Sequence, residues 1–210
     1  MKDIKDRRRS KNSFIVKGLF LLIASGFLII EGCSSGKVSK TEVRPVTSAT
    51  GNNQQLQVQT NIYQQLNKQL QSETRAGWVQ VRQLDTSLKI IMASDTLFPG
   101  GGWTMDRKGR EMLDKIIPVL KGLKETDIEV CGFTDNSPVG SALRGKFSTN
   151  RELSLARAVD VVNYLKQKGI SPGQLTATGY GQDQPVSTND TPQGRAMNRR
   201  MEILFLAAGS

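Results

Sequence analysis

Asp127-Ile128-Glu129-Val130-Cys131-Gly132-Phe133 runs straight into Thr134-Asp135-Asn136. After a loop over 137–149 comes Asn150-Arg151-Glu152-Leu153-Ser154-Leu155-Ala156-Arg157-Ala158-Val159-Asp160-Val161-Val162-Asn163-Tyr164-Leu165. The first segment is short, apolar and β-prone, and it stops at turn-forming residues, which predicts a buried strand. The second repeats its apolar residues at helical spacing. Asn150 is its expected N-cap, Gly169 its stop, and Leu155, Ala158, Val162 and Leu165 its buried stripe. A strand feeding a helix through a polar loop predicts an α/β fold with the loop at one end of the sheet.

Outward from that core the same grammar continues. Leu175–Gly179 reads as a strand and Gly181–Asp190 as a loop. Thr191-Pro192 opens a short helix with a cap followed by proline at the first position, and Met201–Leu206 is the last strand. Upstream, residues 106–124 put Leu113, Ile116, Ile117, Leu120 and Leu123 on one helical face, with Pro118 expected to kink it. Trp78–Leu84 and Leu88–Met92 flank Asp85-Thr86-Ser87 and predict a β-hairpin. The expected fold class is therefore an α/β sandwich over residues 78–210, a mixed sheet with helices packed on it and a β-α-β-α-β-β core. Gly100-Gly101-Gly102 is not a phosphate-binding loop, because no Gly-Lys-Ser/Thr follows it.

Before this domain, Leu56, Tyr63, Leu66 and Leu70 line one side of a Gln-rich amphipathic helix over 56–77. The stripe is too short for a coiled coil and is expected to pack on its own domain, with a homodimer as the alternative. Residues 33–55 are polar and poor in aliphatics, the composition of a disordered tether. Residues 1–17 hold seven basic side chains, and Gly18–Ile30 is uncharged and mostly apolar. Thirteen residues rise only about 20 Å as a helix, short of a hydrocarbon core of roughly 30 Å. Residues 1–32 thus read as a secretory signal, with an uncleaved membrane anchor as the alternative. Ile30-Glu31-Gly32-Cys33 resembles a bacterial lipobox, which would make Cys33 the lipidated first residue of the mature chain; Glu31 departs from the usual pattern.

Composition excludes a good deal of chemistry. The 210 residues contain no histidine and two cysteines, Cys33 and Cys131. Histidine-based nucleophilic catalysis and imidazole-ligated zinc are out, and no cofactor or metal is called for. Cys131 is expected to be a packed thiol. The formal charge of +10 falls to +6 beyond residue 32, with 22 basic against 16 acidic side chains. A modestly basic, exported domain without a basic–aromatic motif is a poor candidate for nucleic acid.

Four blocks together are more specific. Gly132–Asn136, Asn150–Leu165, Thr178–Val186 (TGYGQDQPV) and Thr191–Ile203 (TPQGRAMNRRMEI) resemble, in order and spacing, the OmpA-like peptidoglycan-associating domain. The long 137–149 loop resembles the version in motor stator subunits of the MotB type, whereas the lipobox resembles the peptidoglycan-associated lipoproteins. The resemblance implies non-covalent binding of the diaminopimelate residue of the peptidoglycan stem, with no enzymatic activity. Diaminopimelate offers an ammonium and a carboxylate on one side chain. Asp135 matches the acceptor of the ammonium, and Arg157 the donor fork for the carboxylate. Asn150 and Arg199 match further ligand-contacting positions. Taken alone, Asp135 reads as a turn residue bonding its own backbone, and Arg157 as a solvated helix arginine paired with Asp160 or Asp135. Arg195 and Arg200 read as structural or surface charges. The implied partners are peptidoglycan and a membrane reached through the lipid, with Ser34 resembling an outer-membrane sorting signal and other envelope proteins possible. The other reading is an accessory wall-anchoring subunit of a motor or secretion machine.

Overall fold

The computed structural model describes residues 48–84, 87–124 and 126–207, with side chains from residue 56 onward. Cys33, the expected signal and the tether up to residue 47 lie outside the described residues. Among the described residues no helix is long and apolar enough to cross a membrane.

Two helices lead in, α1 (Ser48–Gln69) and α2 (Gln71–Arg75). Residues 48–55, expected to belong to the tether, are helical, so α1 starts earlier than its apolar stripe. Leu66 and Leu70 are fully buried against the domain, whereas Leu56 is half exposed. The stripe thus packs on its own domain at its C-terminal end alone. Glu73 of α2 is buried and paired with Lys115.

The domain proper is a five-stranded mixed sheet in the order β1-β2-β5-β3-β4. Its strands are β1 (Val79–Gln83), β2 (Ser87–Ala93), β3 (Thr126–Phe133), β4 (Leu175–Gly181) and β5 (Arg200–Ala207). β3 and β4 are parallel, joined by helix α5 (Asn150–Gln167), and β5 inserts antiparallel between β2 and β3. Helix α4 (Arg107–Gly122) continues through Pro118 and is capped by Asp106, whose carboxylate accepts from Gly109 N at 2.8 Å. Short helices α3 (Ser94–Leu97) and α6 (Pro192–Asn198) sit at the end of β2 and the start of β5. Thr191 caps α6 with proline at its first position, as the sequence indicates.

Alternation along the strands separates two faces. Val79, Ile90, Met92, Ile128, Val130, Met201 and Ile203 meet Leu113, Ile116, Leu120, Val161 and Leu165 in one core. The opposite face carries Lys89, Glu129, Cys131, Phe133, Arg200 and Glu202. Cys131 is buried there, and burial first, then the nearby Glu129 carboxylate, pushes its thiol up to about 12. Arg200 lies over the Phe133 ring at 3.7 Å and bonds Glu202 at 2.7 Å, so it is structural.

Two glycines set the distance between α5 and the sheet. A Cβ on Gly132 would come within 2.2 Å of Ser154 O, and one on Gly179 within 2.5 Å of Leu155 N. Backbone therefore packs on backbone. The same approach corrects the expected stripe of α5: Leu153, Ala158, Val161, Val162 and Leu165 are buried, while Leu155 points outward. The cap is corrected too. Thr149, not Asn150, is the N-cap; its backbone is extended and its hydroxyl accepts from Glu152 N at 3.1 Å. Glu152 reaches back to Ser148 N at 2.7 Å, a variant of the capping box, for which Thr149-x-x-Glu152 was the available sequence signal.

Candidate functional site

The ends of β2 and β3 and the start of β5 meet at one rim of the sheet, because β5 runs antiparallel to β3 and to β2. Asp135 follows β3, Arg199 precedes β5, and Asp95 opens α3 directly after β2. Arg199 joins them. Its Nε and Nη2 form a fork on Asp95 at 3.0 and 2.7 Å, and its Nη1 donates to Asp135 Oδ2 at 2.7 Å. The other oxygen of Asp135 accepts from Ser137 N at 2.9 Å, so the residue makes its turn bond as well as the ion pair. Two of the roughly four acceptor positions of that carboxylate stay open.

Burial of Asp135 alone would raise its carboxyl, but the Arg199 guanidinium and the Ser137 amide outweigh this and hold it below the usual carboxylate range. Arg199 is held above its ordinary value, chiefly by the Asp95 fork. Both groups are charged at neutral pH.

Arg157 is neither solvated nor paired with Asp160, whose carboxylate instead accepts from Met105 N at 2.8 Å. It is 5 % exposed and lies over the Phe98 ring at 5.4 Å. Nε donates to Gly102 O at 2.8 Å and Nη2 to Gly101 O at 2.7 Å. The glycine-rich loop thus supplies carbonyls to an arginine rather than amides to a phosphate. Arg157 makes no salt bridge to any carboxylate among the described residues; burial pulls its value down, and the fields of Asp95 and then Asp135 oppose that. The side-on edge of the guanidinium is used by the loop, which leaves the end-on edge for an anion, a change from the freely available fork the sequence suggested.

Asn150, released from capping, ties the rim together. Its Nδ2 donates to Ser137 O at 2.8 Å and, more weakly, to Asp135 O and Gln182 Oε1, both at 3.4 Å. Asn198 does the same one residue before Arg199. It is almost fully buried, accepts from Val186 N and Ser187 N, and donates to Ser187 O and Asn189 Oδ1. Arg195 donates to Asn189 O in the same loop, a structural part as expected. The 137–149 loop is pinned by its own small cluster of Val139, Phe147 and Leu153, with Lys146 over Trp103 at 4.1 Å.

The structure therefore brings Asp135, Arg199 and Asn150 into direct bonded contact and sets Arg157 within their field. Sequence reasoning missed Asp95 and Asn198. Asp95 lies 104 positions from its partner, in a short segment after the predicted strand to which no element was assigned, so nothing local marks it. Asn198 stands beside Arg199 in Asn-Arg-Arg, where a buried amide had no distinguishing signal. Chemically, the rim offers an anion with spare acceptor capacity and a buried cation without a counter-ion. Nothing in it is arranged as a nucleophile with a base.

Comparison with known proteins bears on the family and the fold. Residues 97–199 match the OmpA family. Motility protein B of Helicobacter pylori (strain J99) is 33% identical over 129 residues, 60% of this chain and 48% of that protein. The peptidoglycan-binding protein ArfA of Mycobacterium bovis is 29% identical over 121 residues, 58% of this chain and 35% of that protein. The cell wall anchor of the T6SS from Pseudomonas aeruginosa superposes with a TM-score of 0.62 at 30% identity, covering 68% of this chain and 96% of that structure. The chain spans about half the length or less of the curated relatives named here. The matched segment contains Asp135, Asn150, Arg157 and Arg199, and residues 97–199 are a domain of the OmpA family.

Proposed function

We propose that this protein binds peptidoglycan non-covalently through the rim formed by Asp135, Arg157, Asn150 and Arg199, taking the zwitterionic end of diaminopimelate. One observation carries the reading: a buried carboxylate with open acceptor positions stands beside a buried guanidinium that has no carboxylate of its own. An unpaired buried cation is costly, and a ligand carboxylate relieves that cost while the ligand ammonium shares Asp135 with Arg199. The similarity to the peptidoglycan-binding protein ArfA and to the Pseudomonas cell wall anchor supports peptidoglycan as the polymer bound. The mature chain is held to a membrane by a lipid at Cys33, so that the protein links the outer membrane to the wall from the periplasmic side. The work is binding and anchoring, not catalysis.

The test is sedimentation with purified sacculi, using Asp135→Asn and Arg157→Gln variants first shown to be folded by circular dichroism. Each charge-assisted contact contributes roughly 1.5–3 kcal/mol, so either change lowers affinity about tenfold or more. Undiminished binding by both folded variants overturns the site.

A second reading is favoured by the similarity to the T6SS wall anchor and to motility protein B: an accessory subunit that fixes an inner-membrane machine to the wall. Mass spectrometry of the mature N-terminus separates the two. A diacylglyceryl Cys33 supports the lipoprotein, and an intact Met1 supports the machine subunit.

A further inference from the structure

The two edges of the sheet are built differently. β1 carries Arg82 and has α1 packed on it. β4 reads Leu-Thr-Ala-Thr-Gly-Tyr-Gly, without charge or proline, and no strand pairs with its outer side among the described residues. Edge strands are ordinarily blunted by charge, proline, a bulge or a covering element, because their free N–H and C=O groups recruit another strand. The one irregularity of β4, opposite Gly132 and Phe133, comes at its Gly181 end.

The helix above this edge is bare as well. Among the described residues α5 leaves two large apolar side chains exposed, Leu155 at 42% and Val159 at 39%. The glycines of the sheet place them. A Cβ on Gly132 would strike Ser154 O, whereas one on Gly179 would come within 2.6 Å of Leu155 Cβ. Ser154 therefore lies over β3 and Leu155 over β4, with the axis of α5 between the two strands. A Cβ on Gly181 would come within 2.9 Å of Arg151 N. Arg151 thus stands beside Gly181 and Leu155 beside Gly179. Four helix residues, about 6 Å, match two strand residues, about 6.6 Å. One more such step sets Val159 beside Ala177, so the two exposed side chains straddle Thr178.

That placement is self-complementary. A two-fold axis through Thr178, normal to the sheet, pairs β4 antiparallel with β4 of a second copy. Thr178 then faces Thr178, Ala177 faces Gly179, and Thr176 faces Tyr180. On the helix side Leu155 of each copy meets Val159 of the other, above the small residues Ala177 and Gly179. Strands about 4.8 Å apart, with each α5 set half a strand spacing inside its edge, bring the two helices to about 10 Å, an ordinary packing distance. On the opposite face Thr178 donates to Glu129 at 2.8 Å and Tyr180 stacks on Phe133, so the side chains that meet across the axis are already held. Charge does not oppose the union. The same symmetry sets Arg151, which lies 3.9 Å from Asp183, against Asn163 of the other copy and not against a second cation.

We propose that the open edge of β4 and the exposed Leu155 and Val159 of α5 form a self-association surface, where two copies of this chain join their five-stranded sheets into one. The two rims then lie at opposite ends of the joined sheet, because the paired strands run in opposite directions. The proposal does not depend on what the rim binds.

The experiment is sedimentation equilibrium of the full chain in a density-matched detergent, with a site-specific cross-link as the second readout. The wild type is expected to form a concentration-dependent dimer. Leu155→Lys combined with Val159→Lys, both exposed positions, sets like charges across the axis and is expected to weaken that dimer about tenfold or more. Leu155→Lys combined with Val159→Glu sets opposite charges there and is expected to dimerise about threefold or more tighter than the double lysine variant. Circular dichroism first shows that both variants are folded. Under mild oxidation Thr178→Cys is expected to cross-link two copies, since antiparallel partners lie about 4.5–5.5 Å apart at Cα, within disulfide reach. Thr176→Cys, about 13 Å from its symmetry mate, is expected to stay at the background set by the two native cysteines. A wild type that is monomeric at about 0.1 mM overturns the proposal. So does a dimer untouched by the double lysine variant, which places association elsewhere on the chain, and so does equal cross-linking through positions 176 and 178.

Discussion

Gly132→Ala is the sharpest test of how the fold builds the site. The added methyl would lie 2.2 Å from Ser154 O, 2.9 Å from Ser154 C and 3.2 Å from Ser154 Cα. All three are backbone atoms of α5, so no rotamer change relieves the clash. Restoring an ordinary separation of about 3.5 Å moves the helix away from β3 by roughly 1 Å. Overpacking of this kind costs about 1–3 kcal/mol, or more where backbone must shift. For a domain of this size each kcal/mol lowers Tm by about 4 °C, so the melt is expected to fall by roughly 4–12 °C. The same shift separates Arg157 and Asn150, both on α5, from Asp135 at the end of β3. Sacculus binding measured well below the new Tm should then drop about tenfold, since charge-assisted bonds weaken steeply when their geometry is lost. Gly122→Ala is the control: nothing lies within 4 Å of its added methyl, and its Tm should stay level or rise slightly. A Gly132→Ala protein with unchanged Tm and unchanged binding would refute the argument that this glycine sets the spacing of the site.

Two further outcomes follow from the rim. Thr149→Ala should lose a helix cap worth about 1 kcal/mol and lower the melt without removing a ligand contact, whereas Asn150→Ala should leave the melt nearly level and weaken wall binding by releasing Ser137 and Asp135. Melting and sedimentation on the two variants read this directly, and the reverse assignment would restore Asn150 as the cap. The pH dependence has a fixed sign. The carboxyl of Asp135 is lower in the folded protein than its unfolded value of about 3.9, so its contribution to stability is full above that pH and is lost as the pH falls through the folded value. Asp135→Asn should flatten that acid limb of the stability profile, read by chemical denaturation at a series of pH values.

Much of the fold was legible because periodicity survives without neighbours. The stripe of α4, the proline-opened α6 and the β-prone runs of β2, β3 and β5 all depend on which side of an element is apolar, and one chain segment holds that information. The reading was weaker at α5. Leu155 looked like core by spacing, but Gly132 and Gly179 rotate the contact so that the helix meets the sheet by backbone. Both Thr149 and Asn150 are good caps in isolation, and the choice fell to Thr149 because the carbonyl of Ser137, thirteen positions away, claims the amide of Asn150.

The sequence by itself determined the class of fold and the absence of imidazole chemistry, and its resemblance to a family singled out Asp135, Arg157, Asn150 and Arg199 as candidates. Tertiary structure alone decided how those residues are charged and held. The fork of Arg199 on Asp95 and the seat of Arg157 on Gly101 and Gly102 join segments that are 104, 56 and 55 positions apart. Such contacts leave no local pattern, because they arise where antiparallel β5 returns its first residue to the ends of β2 and β3. A buried charge depends on every element that closes over it, and that closure exists only in the folded chain.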